Sequence, residues 1–474
     1  MKNYYLTAAI PYVNAKPHLG HVQEWFQADS IARYQRSLGN TVIFSCGTDE
    51  NSLKNIQAAE KAGKDPQAWL DEYADVFRKA FEHFNISITN FRRGSDQKDH
   101  WPGVQDLWNA CNEAGDMYEK EYTGLYCVGC EAYYTPAELI DGKCPEHLTV
   151  PETITEVNYF FNLSKYQDQI KSLIESDTVH VISDQYKSEM LGFINQGLED
   201  FSVSRSIQRA RGIGVPVPGD NSQVMYVWFD ALAIYLTSIG WGYDQENFKK
   251  SWPADMHVIG KGITRFHAIY WIAMLLSAKL ELPKIISVHG YITVDGQKMS
   301  KSLGNVVDPF ELVKEYGLES VRYFLLAHVP THADGDFTLD RFLEVYNADL
   351  ANGIGNLCSR VATLAGKHGL EGLPNTEQAF SKHFQTMMNE VALSDALAWV
   401  TNQIKDTDQF LSVKQPWKET DSEVRTEVLN QAIAKIIVIA YHLQPFMPHT
   451  AEIIQKHFTA AHITAFEQPL FPRT

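Results

Sequence analysis

Two lysines that lie three residues apart are the side chains of this sequence with the clearest chemical potential. Lys298 and Lys301 belong to the stretch V-D-G-Q-K-M-S-K-S-L-G-N, in which Asp295-Gly296 predicts a turn after a hydrophobic segment. We therefore expect both lysines on a flexible loop rather than on a regular face. A solvated basic loop is the ordinary interpretation of an isolated K-x-x-K, and the alternative is a pair of cations free to reach a ligand.

Two histidines form a second candidate site near the start of the chain. His18 and His21 flank Gly20, directly after Pro17, at the beginning of a predicted helix. One helical turn places both imidazoles on the same side, where backbone N-H groups and the helix dipole favour an anion. Gly20 has no side chain and would let a flat base or a ribose pack against the backbone. Two ordinary histidines are the alternative for H-x-G-H alone.

Three cysteines and a histidine have the spacing of a metal site. Cys127 and Cys130 form C-x2-C, and after thirteen intervening residues Cys144 and His147 form C-x2-H. Thiolate and imidazole ligands at this spacing suit one tetrahedral Zn²⁺ ion. Four protein ligands would leave no position for water, so we expect a structural zinc. A redox C-x-x-C is the alternative, which the second spaced pair disfavours.

The elements that must position these residues alternate between strands and helices. N-Y-Y-L-T-A, from Asn3, predicts a buried strand, a helix follows over about 22–38, and T-V-I-F-S-C, from Thr41, predicts a second strand. M-H-V-I-G, from Met256, and K-I-I-S-V-H-G, from Lys284, predict further strands. We therefore predict an α/β fold with a doubly wound parallel sheet that is split by an insertion. Ligands of such sheets bind at the carboxyl ends of the strands.

The character of the sequence changes along the chain and sets the predicted domains. From about residue 339 the chain is helical, with short polar stretches between the segments, which predicts an antiparallel α-helical bundle. The predicted domains are 1–115 for the first half of the Rossmann domain, 116–220 for an inserted connective domain with a zinc knuckle at 127–147, 221–338 for the second half, and 339–474 for the bundle.

The composition argues against some classes of protein. The chain has 474 residues and a net charge of -17, which argues against nonspecific coating of nucleic acid but allows a local basic groove. Six cysteines are too few for a disulfide framework. The sequence has no run of eighteen apolar residues and no secretory signal, so we expect a cytoplasmic protein without a membrane partner.

The histidine and lysine motifs together resemble a known pair of signatures. H-L-G-H and K-M-S-K-S are similar to the H-I-G-H and K-M-S-K-S of the class I aminoacyl-tRNA synthetases. The resemblance implies that the lysines hold the triphosphate of ATP, with magnesium, while an amino acid carboxylate attacks the α-phosphorus. Lys301 is the first choice for the mobile charge and Lys298 the second. The implied catalytic residues are His18, His21, Lys298 and Lys301, and the implied ATP-binding residues are Gly20, Gly260, His289, Ile292 and Lys301.

The resemblance is closest to the methionyl-tRNA synthetases and runs along nearly the whole chain. It is carried by A-A-I-P-Y-V-N, C-G-T-D-E, Y-V-W-F-D-A, G-K-x-I-x-x-F-H and H-G-Y-I-T-V-D-G-Q-K-M-S-K-S. The implied methionine pocket consists of Ile10, Tyr12, Asp49, Trp228, Ala231, Tyr235, Ile263, His267 and Trp271. Some members of this group also carry one or two zinc knuckles in their inserted domain.

The chemistry of the implied pocket agrees with a methionine substrate. Aromatic walls suit a polarizable thioether, and the Tyr235 hydroxyl and the Ile10 N-H could mark its sulfur. Asp49 could pair with the substrate ammonium. Plain core packing is the alternative role for any one of these aromatic residues. Such a pocket separates methionine poorly from close analogues, so homocysteine is the expected confusable amino acid.

The resemblance also implies that the C-terminal bundle reads the C-A-U anticodon of tRNA(Met). The matching residues are Asn356, Arg360, Pro416 and Trp417, with Pro416-Trp417 at a predicted helix start. A tryptophan on an exposed turn can stack on an unpaired base, and interhelix packing is the alternative role for Trp417. Some family members append a dimerising tRNA-binding domain that we do not expect here, so we expect a monomer.

Three departures from the family pattern leave alternatives open. Asn51-Ser52 replaces a histidine and a glycine, Leu232 replaces a proline, and Gly262 replaces a carboxylate that would accept hydrogen bonds from the ATP ribose. Either another group or water takes over the ribose, or the ATP affinity is low. The rival functions are a noncatalytic tRNA-binding paralogue and a class I synthetase for another amino acid. The short insertion leaves little room for an editing domain, which disfavours the isoleucine, valine and leucine enzymes.

Overall fold

The chain divides into two compact units, each made of two segments. The computed structural model describes residues 2–130, 132–146, 148–298, 307–374 and 378–474. The first unit contains Met1–Pro17 and Asn40–Val288, and the second contains His18–Gly39 and His289–Thr474. The domain boundaries expected from the sequence stay predictions.

The predicted strands are present close to their expected positions. The strand expected from Asn3 is Asn3–Ala8, and the one expected from Thr41 is Thr41–Thr48. The strands of the described residues are β1 (Asn3–Ala8), β2 (Thr41–Thr48), β3 (Asn90–Arg93), β4 (Met117–Cys127), β5 (Ala132–Tyr134), β6 (Glu152–Phe161), β7 (His180–Ile182), β8 (Phe201–Ser202), β9 (Ser204–Ser206), β10 (Pro216–Val217), β11 (Asp220–Met225), β12 (Met256–Gly260), β13 (Ile285–His289), β14 (Ile292–Val294), β15 (Gln297–Lys298) and β16 (Gly335–Phe337).

The first unit is built on a six-stranded sheet in the order β3-β2-β1-β12-β13-β7. Strand β1 pairs in parallel with β2 on one side and with β12 on the other. Residues 4–8 of β1 are all buried, as expected for a parallel strand that is covered on both faces. The direction of the strand order reverses between β1 and β12, which is the switch point at which such sheets bind ligands. The predicted split, doubly wound sheet is confirmed.

The region 116–220 forms antiparallel sheets and also extends the parallel sheet. Its main sheet has the order β5-β4-β6-β8, and a smaller sheet has the order β10-β11-β9. Strand β7 comes from the same region and pairs in parallel with β13. Strand β4 ends at Cys127, so this sheet carries the first cysteine of the predicted zinc knuckle.

Helices make up most of the second unit, as predicted for the C-terminal part of the chain. The α-helices of the described residues are α1 (Leu19–Ser37), α2 (Leu53–Lys61), α3 (Pro66–His83), α4 (Trp101–Glu113), α5 (Gln167–Glu175), α6 (Asp184–Asn195), α7 (Val227–Thr237), α8 (Gln245–Ser251), α9 (Trp271–Ser277), α10 (Pro309–Tyr316), α11 (Leu318–Ala327), α12 (Leu339–Val345), α13 (Asn356–Lys367), α14 (Lys382–Asn389), α15 (Leu393–Lys414), α16 (Ser422–Leu443) and α17 (Pro448–Phe458). Across the described ranges, no helix has the length and apolar composition that a membrane crossing requires.

A buried ion pair ties helix α1 to the rest of the second unit. The Arg322 guanidinium, on α11, lies 2.6 Å from the Asp29 carboxylate, on α1, and both side chains are at most 1% exposed. Arg322 also donates to the Ser30 hydroxyl at 3.2 Å. Removing Asp29 would leave the buried Arg322 guanidinium without this carboxylate, which is strongly destabilising. Asp29 itself also pairs with Arg33, at 2.7 Å. The pair therefore holds the helix that begins with the H-L-G-H motif.

Candidate active site and metal centre

The carboxyl ends of strands β1 and β2 bring two predicted pocket residues together. Tyr12 and Asp49 form an isolated parallel bridge, and the Asp49 N-H donates to the carbonyl oxygen of Pro11 at 2.9 Å. Asp49 is only 4% exposed. The Lys54 ammonium lies 4.3 Å from the centre of the Tyr12 ring. A buried carboxylate thus lies at the carboxyl ends of these strands, and Asp49 is the residue predicted to pair with the substrate ammonium.

Helix α7 presents three more of these residues on one face. Trp228, Ala231 and Tyr235 recur at spacings of three and four residues, and all are buried. The Trp228 ring stacks on Phe266, with centroids 3.8 Å apart and planes at 9°. Among the described residues, the buried Trp228 Nε1 has no hydrogen-bond partner. Buried donors are nearly always paired, so this indole N-H is a donor that a ligand could satisfy.

The chain after β12 holds an imidazole in one defined tautomer. His267 lies in a π-helical turn, Phe266–Tyr270, a distortion that is frequent at functional sites. Its Nδ1 lies 3.0 Å from the Ile263 carbonyl oxygen, and its Nε2 lies 2.8 Å from the Tyr235 hydroxyl. A carbonyl only accepts, so Nδ1 carries the proton and Nε2 accepts from Tyr235. Burial lowers the pKa of His267 to about 4, which keeps the ring neutral.

The first unit packs most of the predicted methionine residues around Tyr235. Its ring centroid lies 5.6 Å from that of His267 and 6.1 Å from that of Trp271. Ile10 and Ile263 pack against the hydrophobic cluster that contains Tyr235 and Trp271. Five of the nine residues that the sequence assigned to one pocket therefore belong to this cluster or adjoin it, while their role toward methionine stays a prediction.

Sequence reasoning missed a buried carboxylate beside this pocket. Asp230, directly before Ala231, accepts from Asn51 Nδ2 at 2.5 Å and lies 2.7 Å from His100 Nε2. The same Asn51 amide donates to the Gly94 carbonyl oxygen at 2.9 Å. Asn51 departs from the family histidine, yet it supplies Asp230 with a donor. The one signal in the sequence is the acidic residue inside the apolar run Y-V-W-F-D-A-L-A-I-Y-L.

In the second unit, the two histidines of H-L-G-H cap the start of helix α1. His18 Nδ1 accepts from the Gly20 N-H at 3.1 Å, and His21 Nδ1 accepts from the His18 N-H at 3.2 Å. The rings stack with centroids 3.8 Å apart, which confirms that they share one side of the helix. Because each Nδ1 accepts, each neutral ring carries its proton on Nε2. The helix begins three residues before the predicted position, since histidine is an unusual capping residue.

Another histidine of the predicted ATP site is paired with a residue that the sequence did not suggest. His289 Nε2 lies 2.9 Å from a carboxylate oxygen of Glu24, on α1. Burial and the neighbouring His18 and His289 imidazoles hold the pKa of His21 well below its usual value. Ile292, also assigned to the ATP site, begins β14 and is buried. Gly260, in the first unit, ends β12 and precedes the 3-10 turn Lys261–Ile263.

The lysine segment differs in part from its prediction. Asp295 and Gly296 have φ of 52° and 71°, the positive values of a two-residue hairpin turn, which confirms the predicted turn. Lys298, in strand β15, then pairs with Thr293 of strand β14, so the expectation of a flexible loop at Lys298 is wrong. A turn of this type continues the pairing of the strands on both sides, which places Lys298 in the hairpin. Lys301 lies outside the described residues.

Three cysteines converge as the zinc prediction requires. The sulfurs of Cys127, Cys130 and Cys144 all lie within 4.8 Å of one another, and the Cys130 and Cys144 sulfurs are 3.3 Å apart. Zn-S bonds of about 2.3 Å in a tetrahedron place sulfurs about 3.8 Å apart, so these three thiols fit one ion. The Tyr134 hydroxyl donates to the Cys130 sulfur at 2.9 Å. The fourth predicted ligand, His147, lies outside the described residues.

The predicted anticodon residues come together in part. The Arg360 guanidinium lies 5.4 Å from the centre of the Trp417 ring and 3.1 Å from the Asp408 carboxylate. Trp417 is 44% exposed, which favours a role other than interhelix packing. Asn356 begins helix α13 and is exposed. Pro416 and Trp417 follow the end of α15 rather than starting a helix, because Gln415 adopts a left-handed conformation that ends α15.

Comparison with known proteins identifies the family. The model of the family described as tRNA synthetases class I (M) matches residues 4–149 and 147–362. Methionine–tRNA ligase of Thermotoga maritima is 39% identical over 469 residues, which cover 95% of this chain and 74% of that protein. Methionine–tRNA ligase of Brucella suis is 38% identical over 471 residues, covering 95% of this chain and 90% of that protein.

Solved structures agree with these relatives. Mycobacterium tuberculosis methionyl-tRNA synthetase in complex with methionyl-adenylate matches with a TM-score of 0.91 and 35% identity, covering 100% of both chains. The apo form of that enzyme matches with a TM-score of 0.84 and 32% identity, covering 100% of this chain and 98% of that chain. The chain therefore belongs to the class I tRNA synthetases, in the family of the methionine–tRNA ligases.

Proposed function

We propose that the residues around Tyr235, His267 and Trp271 bind methionine, and that the H-L-G-H and K-M-S-K-S residues bind ATP. As a methionine–tRNA ligase, the chain joins methionine to tRNA at the expense of ATP. The observation that carries the proposed pocket is the buried hydrogen bond between Tyr235 and His267 beside the Trp271 ring. A solved relative was crystallised with methionyl-adenylate, the intermediate that this reaction requires, which supports the proposal.

In the first step, a methionine carboxylate oxygen attacks the α-phosphorus of ATP. The bond between that phosphorus and the bridging oxygen breaks, and pyrophosphate leaves. His18 and His21 carry their protons on Nε2, the form that can donate to phosphate oxygens as negative charge develops. Lys298 and Lys301 are the proposed cations for the other phosphates, and Mg²⁺ bound with ATP supplies further positive charge. The step needs no covalent nucleophile, so catalysis rests on positioning and electrostatics.

The tautomer of His267 changes the proposed recognition of the methionine sulfur. Tyr235 gives its hydroxyl proton to His267 Nε2, so it cannot donate that proton to the sulfur as the sequence analysis expected. The Ile10 N-H and the Trp228 Nε1-H are the remaining proposed donors, and the latter is buried without a partner among the described residues. Asp49 stays the proposed partner of the substrate ammonium.

In the second step, a hydroxyl of the terminal adenosine of tRNA attacks the methionyl carbonyl carbon. The 2'-hydroxyl is the proposed acceptor, as is usual in class I enzymes. The bond to the phosphate oxygen breaks, AMP leaves, and the hydroxyl proton is released. Arg360 and Trp417, which lie side by side, are proposed to contact the anticodon of tRNA(Met), together with Asn356 and Pro416.

We propose one structural zinc ion, held by Cys127, Cys130, Cys144 and His147. The convergence of three thiols supports it, because thiolates are the preferred ligands of structural zinc. The ion would link the end of β4, at Cys127, to the segment between β4 and β6 that carries Cys130 and Cys144. A monomeric state and a cytoplasmic location stay predictions from the sequence.

Exchange of labelled pyrophosphate into ATP tests this function directly. We expect exchange that depends on methionine alone in a panel of amino acids, and we expect Lys301→Ala to abolish most of it. Exchange with another amino acid at comparable efficiency would assign the pocket to that substrate. An absence of exchange with every amino acid, in a protein that still binds tRNA, would support the noncatalytic paralogue instead.

A further inference from the structure

A buried histidine outside the predicted methionine pocket links Trp271 of that pocket to strand β1. His257, in β12, is 0% exposed. Its Nδ1 lies 2.6 Å from the Thr7 hydroxyl, on β1, and its Nε2 lies 3.3 Å from Nε1 of Trp271. Thr7 and Trp271 are also 0% exposed. Both nitrogens of this imidazole therefore have a partner, and all three side chains are shielded from water.

The chemistry of the partners defines the state of the His257 ring. An indole N-H can only donate, so Nε2 of His257 must be the acceptor and Nδ1 must carry the proton. Nδ1 then donates to the Thr7 hydroxyl oxygen. Burial and the nearby His267 hold the pKa of His257 well below its usual value, which agrees with a neutral ring. Only this neutral tautomer can serve Thr7 and Trp271 at once.

His257 also contacts two other residues of the predicted pocket. Its ring centroid lies 4.6 Å from that of Tyr235 and 6.2 Å from that of His267. Tyr235 in turn is held by the Tyr5 hydroxyl, which donates to the Tyr235 carbonyl oxygen at 2.6 Å. One imidazole thus touches three of the nine residues assigned to methionine, although no motif of the sequence marked it.

We propose that His257 is a positioning residue for methionine recognition, acting through Trp271 and Tyr235. This inference rests on the proposed methionine pocket. The wall of a pocket for a flexible thioether discriminates by shape, and shape depends on fixed ring orientations. The hydrogen bond to His257 fixes the Trp271 indole, and the link to Thr7 fixes His257 against the strand at the switch point. Without this acceptor, the indole N-H would be buried and unpaired, and the ring would move to find another partner.

The consequence is a selective effect on one substrate. His257 touches residues assigned to methionine and none of those assigned to ATP, according to the contacts of the described residues. A change at His257 should therefore weaken methionine binding and discrimination while the KM for ATP stays nearly constant. A residue that served folding alone would lower stability without separating the two substrates.

The test measures pyrophosphate exchange with three variants. His257→Leu replaces the imidazole with an apolar side chain of similar bulk that offers no acceptor, and we expect the KM for methionine to rise about tenfold. His257→Gln can still accept and donate, and we expect it to recover most of this loss. Thr7→Val removes only the link to the strand, and we expect a rise of about threefold. In His257→Leu, we also expect the preference for methionine over homocysteine in kcat/KM to fall several-fold.

A matched control separates positioning from folding. His442, in the helical second unit, is also buried, with hydrogen bonds at Nδ1 to the Val438 carbonyl oxygen and at Nε2 from the Ser381 N-H. We expect His442→Leu to lower the melting temperature while the KM for methionine stays at the wild-type value. Fluorine NMR of protein that carries 5-fluorotryptophan reports on the Trp271 ring, and Trp271→Phe identifies its resonance. We expect that resonance to shift in His257→Leu.

The outcomes distinguish this inference from the function on which it rests. No methionine-dependent exchange by the wild type would overturn the proposed function. Normal exchange by the wild type, with a folded His257→Leu whose KM for methionine and preference over homocysteine are both unchanged, would overturn the positioning role alone. A parallel rise in the KM for ATP would also count against it, because a general distortion of the sheet would then explain the loss.

Discussion

The Tyr235 hydroxyl lies 2.8 Å from Nε2 of His267, and the other nitrogen of that imidazole lies 3.0 Å from the Ile263 carbonyl oxygen. The carbonyl oxygen can only accept, so Nδ1 carries a proton, and because burial keeps the ring neutral, Nε2 accepts from the Tyr235 hydroxyl. The pocket therefore depends on the protonation state of a fully buried histidine.

The stability of the protein should accordingly depend on pH. The pKa of His267 lies at about 4 in the folded state, below the usual 6.5, so the unfolded state binds the proton more readily. Its stabilising contribution is complete above pH 6.5 and is lost as pH falls from 6.5 toward 4. The full loss corresponds to roughly 3 kcal/mol. Urea unfolding between pH 5 and pH 8 should show a shallower dependence in His267→Gln than in the wild type, and identical slopes would contradict this account.

The metal prediction has a direct stoichiometric test. We expect about one zinc per chain in the purified wild type, and substantially less in Cys144→Ser, because three thiolates hold the ion far better than two. Cys358 is also buried but lies outside the cluster, so Cys358→Ala is the matched control and should keep its metal. Elemental analysis measures both, and full zinc retention by Cys144→Ser would remove that thiol from the ligand set.

The Asn51 amide should be needed to stabilise the Asp230 carboxylate. Asn51→Ala removes the donor 2.5 Å from this buried group and should cost about 1 to 3 kcal/mol in the free energy of unfolding. Asn51→Asp keeps the shape but places a second carboxylate there, so it should be less stable than Asn51→Ala at neutral pH. Thermal unfolding at pH 7 gives the order, and equal stability of the two variants would show that Asn51 does not contact an ionised Asp230.

A change at the exposed Trp417 ring should affect the two steps of the reaction differently. If it stacks on an unpaired base of the anticodon, Trp417→Ala should lose about 1 to 3 kcal/mol of tRNA binding while methionine activation is unchanged. Val413 is also exposed, at 71%, and Val413→Ala is the control for a surface change on the preceding helix. Aminoacylation and pyrophosphate exchange measured side by side decide the matter, and an equal loss in both would exclude an anticodon role.

Much of the fold was predictable because its signals are local. The strand Asn3–Ala8 and the strand from Thr41 follow from short apolar runs, and the Asp295-Gly296 turn follows from residues that tolerate positive φ. The start of α1 was misplaced because two histidines cap it in place of serine, threonine or an acidic residue. The pocket residues were named only through the family resemblance, since no local pattern distinguishes them from core residues.

By itself, the sequence determined the order of the elements, the metal-ligand spacing and the family, because all three depend on residues that are close together in the chain. The tertiary structure alone decided which group pairs with which. Thr7 and His257 are 250 positions apart, Asn51 and Asp230 are 179 apart, and Tyr235 and His267 are 32 apart. A hydrogen bond tolerates differences of only a few tenths of an ångström in the donor–acceptor distance. Its existence, and with it the tautomer of each histidine, is therefore set only when the folded chain brings these partners together.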